Sequence, residues 1–90
     1  MDKRPARPKL IVYVMKGNPG CDRLERFLVT AGIPYVRRDV FAETSAMEEV
    51  ALRTRGRVRL PAVRIGDVLL EKQTPASLSR FLKKRDSKSP

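Results

Sequence analysis

Leu10-Ile11-Val12-Tyr13-Val14-Met15-Lys16-Gly17-Asn18-Pro19-Gly20-Cys21 is the stretch whose reading decides the fold. From Lys9 to Met15 the chain is a strand that is apolar on both faces, which places it in the centre of a sheet. Beyond the Gly/Pro turn, Leu24, Phe27, Leu28 and Ala31 recur at the three-and-four spacing of one helix face. Asn18 reads as the helix N-cap, because its side-chain oxygen can accept an N–H from the first turn. Pro19 suits the first helical position, where no N–H is needed. Cys21 therefore falls in the first turn, where the positive end of the helix dipole favours a thiolate if solvent and partners reach it.

Outward from that turn, the first helix runs from Gly20 or Cys21 to about Ala31 and is stopped by Gly32 and Pro34. Tyr35 to Asp39 is a second strand. Ser45 with Glu48 has the spacing of a capping box, which predicts a helix through about Arg55 that buries Met47, Val50 and Ala51 and ends at Gly56. Ala62 to Ile65 and Val68 to Leu70, joined through Gly66-Asp67, read as a hairpin. Thr74-Pro75 caps and starts a last helix with Leu78, Phe81 and Leu82 on its core face. The order is β-α-β-α-β-β-α, an α/β chain. Residues 1–8 are expected to be a disordered basic arm, 9–84 one domain and 85–90 a basic tail.

Composition bounds the chemistry. Ninety residues make one domain with one modest core, and 41% hydrophobic with 33% charged residues is the balance of a globular chain. No apolar run approaches the ~18 residues of a membrane span, and no signal-peptide pattern precedes the first strand, so a cytoplasmic protein without a membrane partner is expected. One cysteine excludes an intramolecular disulfide, and zero histidines exclude the usual Cys/His zinc sites and imidazole-based catalysis. No metal site is expected. The chemistry rests on Cys21 or on charge.

The net charge of +10 is unevenly placed. Lys3, Arg4, Arg7 and Lys9 against Asp2, and Arg80, Lys83, Lys84, Arg85 and Lys88 against Asp86, put +7 at the two ends. Within the body, Arg53, Arg55, Arg57, Arg59 and Arg64 crowd one segment without an acid. Arg55, Arg57 and Arg59 alternate in a loop leading to Pro61, a combination suited to a carboxylate, a phosphate or a nucleic-acid backbone. The aromatic residues fall at core-like positions, so nucleic-acid contact through this loop would be electrostatic and salt-dependent.

The element order, the strand-turn-Cys-helix at its start and Leu60-Pro61 directly before the hairpin resemble the glutaredoxin branch of the thioredoxin fold over residues 9–84. Where that family has Y-x-K-P-G-C-P-Y-C, this chain reads Tyr13-Val14-Met15-Lys16-Gly17-Asn18-Pro19-Gly20-Cys21, and Gly32 to Tyr35 and Asp39-Val40 follow in register. The resemblance implies a four-stranded mixed sheet with three helices. It also implies a cis Pro61 lying against the N-terminus of the first helix, and glutathione pairing with the backbone of Arg59-Leu60-Pro61. Three departures stand out. Asn18 holds the place of the attacking cysteine, and Cys21 holds that of the resolving one. Met15 replaces the lysine before the motif, with Lys16 beside it. Glu71-Lys72 and Ala76-Ser77 replace the family's Gly-Gly and the acidic pair after it.

Two functions follow as expectations. In the first, the chain is a divergent glutaredoxin with at most one working thiol, Cys21, its thiolate supported by the helix N-terminus and by Arg57 or Arg59. It would form a mixed disulfide with glutathione or a protein thiol as co-substrate, with no resident cofactor, and act as a monomer. Lys16, Arg59, Leu60 and Pro61 would bind the substrate. In the second, the fold is kept as a non-catalytic binding module, and Arg55, Arg57 and Arg59, with Lys16 and the basic ends, hold an acidic protein or a nucleic-acid backbone.

Overall fold

The computed structural model describes residues 10–87, with side chains to residue 84. The arm expected over 1–8 lies outside the described residues, as do residues 88–90 of the expected tail. Seven elements follow one another: β1 (Leu10–Val14), α1 (Pro19–Thr30), β2 (Val36–Asp39), α2 (Thr44–Thr54), β3 (Ala62–Ile65), β4 (Val68–Leu70) and α3 (Pro75–Ser87). Helix α3 thus continues through the first three residues of the stretch read as a tail. The strands form one sheet in the order β2-β1-β3-β4. Strand β1 is parallel to β2 and antiparallel to β3, and β4 is antiparallel to β3. This is the four-stranded mixed sheet with three helices of a thioredoxin-like fold.

The two-sided apolar character of β1 explains its interior place. Leu10, Val12 and Val14 meet Cys21, Leu24 and Leu28 of α1, Leu78 of α3, and Val63 and Ile65 of β3. The alternate residues Ile11 and Tyr13 point to the opposite face, where Val40, Ala46, Val50 and Ala62 gather. Side chains one apart on a strand point to opposite faces, so one five-residue strand feeds two cores. Helices α1 and α3 cover the first core and α2 the second. Leu24 and Leu28 are fully buried, and truncating either to alanine should destabilise the fold by about 2–5 kcal/mol.

Local chemistry sets the joints. Asn18 Oδ1 accepts the Cys21 N–H at 3.1 Å, with Pro19 in the first helical position. Gly66 takes φ of 61° at the first central position of the hairpin turn, a left-handed conformation that glycine adopts without steric cost. At the start of α3, Thr74 Oγ1 accepts from Ser77 N–H and Ser77 Oγ accepts from Thr74 N–H, at 3.1 and 2.9 Å.

The entrance to α2 differs from the expected capping box. The helix begins at Thr44 with Glu43 as N-cap and no side-chain cap bond, so Ser45 lies inside the first turn. Ser45 Oγ instead accepts from Arg38 Nη2 at 2.9 Å. Arg38 Nε also donates to Glu43 Oε1 at 2.7 Å, while Asp39 Oδ1 accepts the N–H groups of Phe41 and Ala42. A cation on the neighbouring strand has outcompeted the local box. The buried face of α2 is Ala46, Val50 and Thr54, with Met47 and Ala51 only half-buried.

Candidate functional site

The turn after β1 and the loop before β3 meet at the N-terminus of α1. The Leu60–Pro61 peptide bond is cis, and Pro61 is buried. A Cβ on Gly20 would touch Pro61 Cδ at 3.6 Å and lie 3.2 Å from Asn18 Oδ1, so a larger residue there would contact the proline ring and press on the cap oxygen. Asn18, Gly20, Cys21 and Pro61 are therefore brought together. The loop is held from the other side. Lys72 N–H donates to Arg59 O at 3.2 Å, and Gln73 N–H donates to Pro61 O at 2.8 Å. Leu60 packs against both cores.

Cys21 sits in the core, with 1% of its surface exposed. Burial pushes its thiol pKa up; a backbone hydrogen bond with Met15 works against that, the Glu25 and Asp22 carboxylates add to it, and Arg37 offsets them weakly. The charges that reach the thiol thus come from α1 and β2. Arg57 and Arg59, expected beside it, are not among them. Asn18, which the resemblance sets at the attacking position, has its side-chain oxygen engaged as the helix cap, and a neutral amide does not attack a disulfide.

The arginine loop forms its own structure. Arg55, Arg57 and Arg59 line a cavity of about 390 Å3 together with Arg53, Thr54, Glu71 and Lys72. Lys16, exposed in the turn before α1, is not part of the lining. Thr54 Oγ1 donates to Val50 O at 2.8 Å, which fixes the wall at the end of α2. Arg55 closes α2 in the left-handed conformation with φ of 56°, and Lys72 has φ of 48°. Arg53, read only as part of the acid-free arginine segment, and Glu71 and Lys72, read only as a departure from the family's Gly-Gly, join the lining beyond the three arginines expected there. Arg53 continues the 55-57-59 alternation one step back into the helix, a signal that was available. Lys72 reaches the cavity only because the chain after β4 folds back onto Arg59.

No helix among the described residues is long and apolar enough to cross a membrane, and no cluster of three metal-ligating acids or cysteines occurs among them.

A four-stranded mixed sheet, with a cis-proline turn set against the N-terminus of its first helix, defines the class as thioredoxin-like. The thioredoxin-like protein BC3987 superposes with a TM-score of 0.72 at 20% identity, over 81% of this chain and 99% of that one. NrdH-redoxin from Escherichia coli, a glutaredoxin-like protein, gives 0.66 at 25% identity over 81% of this chain and 93% of that one. The solution structure of glutaredoxin from Brucella melitensis gives 0.66 at 25% identity over 92% and 89%. Comparison with curated proteins finds no match. The glutaredoxin family profile matches residues 10–70, and the chain belongs to the glutaredoxin family, a thiol-redox family.

Proposed function

We propose that this chain is a glutaredoxin-family domain that binds an anionic partner at its arginine loop and does not turn over disulfides. The observation that carries this reading is the state of the redox positions. Asn18 stands where the attacking thiol would be, and Cys21 is buried in the core with a raised pKa. Thiolate character and access, the two requirements for thiol attack, are both opposed. What the fold presents instead is a cationic cavity whose backbone is anchored at Arg59 and Pro61. Its guanidinium groups offer planar paired donors that suit carboxylate or phosphate oxygens.

A second reading is favoured by family membership. In it, Cys21 acts as a monothiol: its thiolate attacks glutathione disulfide, a Cys21–glutathione disulfide forms, glutathione thiolate leaves, and an external thiol later releases the adduct. That route needs the first turn of α1 to open. Mass spectrometry of the folded protein after mixing with oxidised glutathione, together with the pH dependence of Cys21 alkylation, separates the two. The binding reading expects no adduct and a thiol that stays unreactive until the protein unfolds. A glutathione adduct with an alkylation midpoint well below the ~8.5 of a free cysteine would overturn it. Binding to an anionic matrix should survive Cys21→Ala and be lost in Arg57→Glu/Arg59→Glu.

A further inference from the structure

We infer that the cavity at the end of α2 is a site for a compact small molecule bearing two or more adjacent phosphates. This rests on the reading that the arginine loop binds an anion, and it names the class of ligand. Arg53, Arg55, Arg57, Arg59 and Lys72 face a single counter-charge, Glu71, around one hollow of about 390 Å3. That volume is in the range of small-molecule sites. Among the described residues, none of these five cationic side chains has a hydrogen-bonding or ion-pairing partner, whereas Arg37, Arg38 and Arg64 all do.

Backbone conformation singles out the same cavity. Arg55 and Lys72 are the only non-glycine residues with positive φ among those described, and both line it. Side chains of L-residues adopt that region reluctantly, because Cβ crowds the neighbouring carbonyl. Glycine would relax either position, yet each carries a long cation. Two strained cations converging on one cavity mark it as a functional site.

The class of anion follows from charge density. Two adjacent phosphates carry roughly three to four negative charges within a few ångströms, which matches the lining's net surplus of cations. A peptide would have to bring its carboxylates on separate flexible stems and order each one. The lining contains no aromatic residue, so a nucleobase finds no stacking face and recognition centres on the phosphates.

Isothermal titration of the full chain with inorganic pyrophosphate, tripolyphosphate and orthophosphate, at physiological salt, tests the assignment. Pyrophosphate and tripolyphosphate should bind saturably at one site, at least about 10-fold more tightly than orthophosphate. Arg57→Ala and Arg59→Ala should each weaken binding by roughly 10-fold, as loss of a charge-assisted hydrogen bond does. Arg55→Gly and Lys72→Gly should weaken it while raising the melting temperature by about 3 °C, which also guards against misfolding as the cause. Equal affinity for pyrophosphate and orthophosphate, or unchanged binding in the two glycine variants, overturns the inference. If pyrophosphate fails to bind but an acidic peptide or a single-stranded oligonucleotide binds through Arg57 and Arg59, the ligand class is wrong and the anion-binding reading stands. If none of these binds, both fall.

Discussion

Two groups of arginines in this small domain have opposite fates. At the edge of the sheet, Arg37 Nε reaches Glu25 at 3.0 Å. On the same strand, Arg38 reaches Glu43 at 2.7 Å and Glu49 at 3.4 Å. At the end of α2, Arg53, Arg55, Arg57 and Arg59 form no ion pair among the described residues, although Glu71 lines the same cavity. Exposure does not separate the groups, since Arg37 is itself exposed. The supply of acids does: Glu25, Glu43 and Glu49 come within reach of β2, while no acid occurs between Glu49 and Asp67. The first group joins strand to helix, and the second repels itself across a cavity. Cations of the first kind should matter to folding, and those of the second to a ligand.

The largest test of that difference is Glu49→Ala. Tyr13 is fully buried and its hydroxyl donates to Glu49 Oε1 at 2.7 Å. Removing the acceptor orphans that hydroxyl, at a cost of about 1–3 kcal/mol, readable as a shift of the urea midpoint. Adding Tyr13→Phe should recover much of the loss, because removing both partners of a buried hydrogen bond costs less than orphaning one. If Glu49→Ala is as mild as Arg57→Ala, the two groups do not differ and the comparison is broken.

The same carboxylate gives a pH signature. The Tyr13 hydroxyl hydrogen bond holds the Glu49 pKa below its ordinary value of 4.5; burial works the other way, and the Arg38 charge and hydrogen bond reinforce the lowering. A carboxyl depressed in the folded state contributes stability that is present above its unfolded pKa and is lost as pH falls through the folded one. Stability should therefore fall on acidification from about pH 4.5 downward, and Glu49→Gln should flatten that limb. An acid limb of unchanged slope in Glu49→Gln would assign the loss to other carboxylates.

What the sequence revealed, and what it hid, divides along the same line. The strand β1, the Asn18 cap, the Gly66-Asp67 hairpin and the start of α3 were legible because each depends on residues a few positions apart. The α2 entrance was not: Ser45 and Glu48 have capping spacing, but Arg38 arrives from β2 and takes the Ser45 hydroxyl. Arg55, Arg57 and Arg59 were legible as a run without acids. The place of Lys72 beside them was not, since it depends on its N–H bonding to Arg59 O across the sheet's end. Cys21 was legible as a first-turn thiol. Its surroundings were not, because Leu24, Val12 and Leu78 enclose it from three different elements.

The smallest expected effect sharpens the comparison most. Arg57→Ala/Arg59→Ala should leave the melting temperature within about 3 °C of the parent at physiological salt, as surface changes without lost contacts do. Neither side chain has a partner to lose, so the remaining term is mutual repulsion, screened over about 8 Å at that ionic strength. Lowering the salt lengthens the screening distance, and the double variant should then become more stable than the parent. Arg38→Ala should do the reverse, lowering stability most at low salt, because it leaves Glu43 and Glu49 facing each other without their shared cation. Opposite salt slopes for two arginine-to-alanine changes in one 90-residue chain would measure the difference directly. Parallel slopes would mean that the 53–59 loop meets an acid of its own in solution, and the cavity would then have no surplus charge to offer a phosphate.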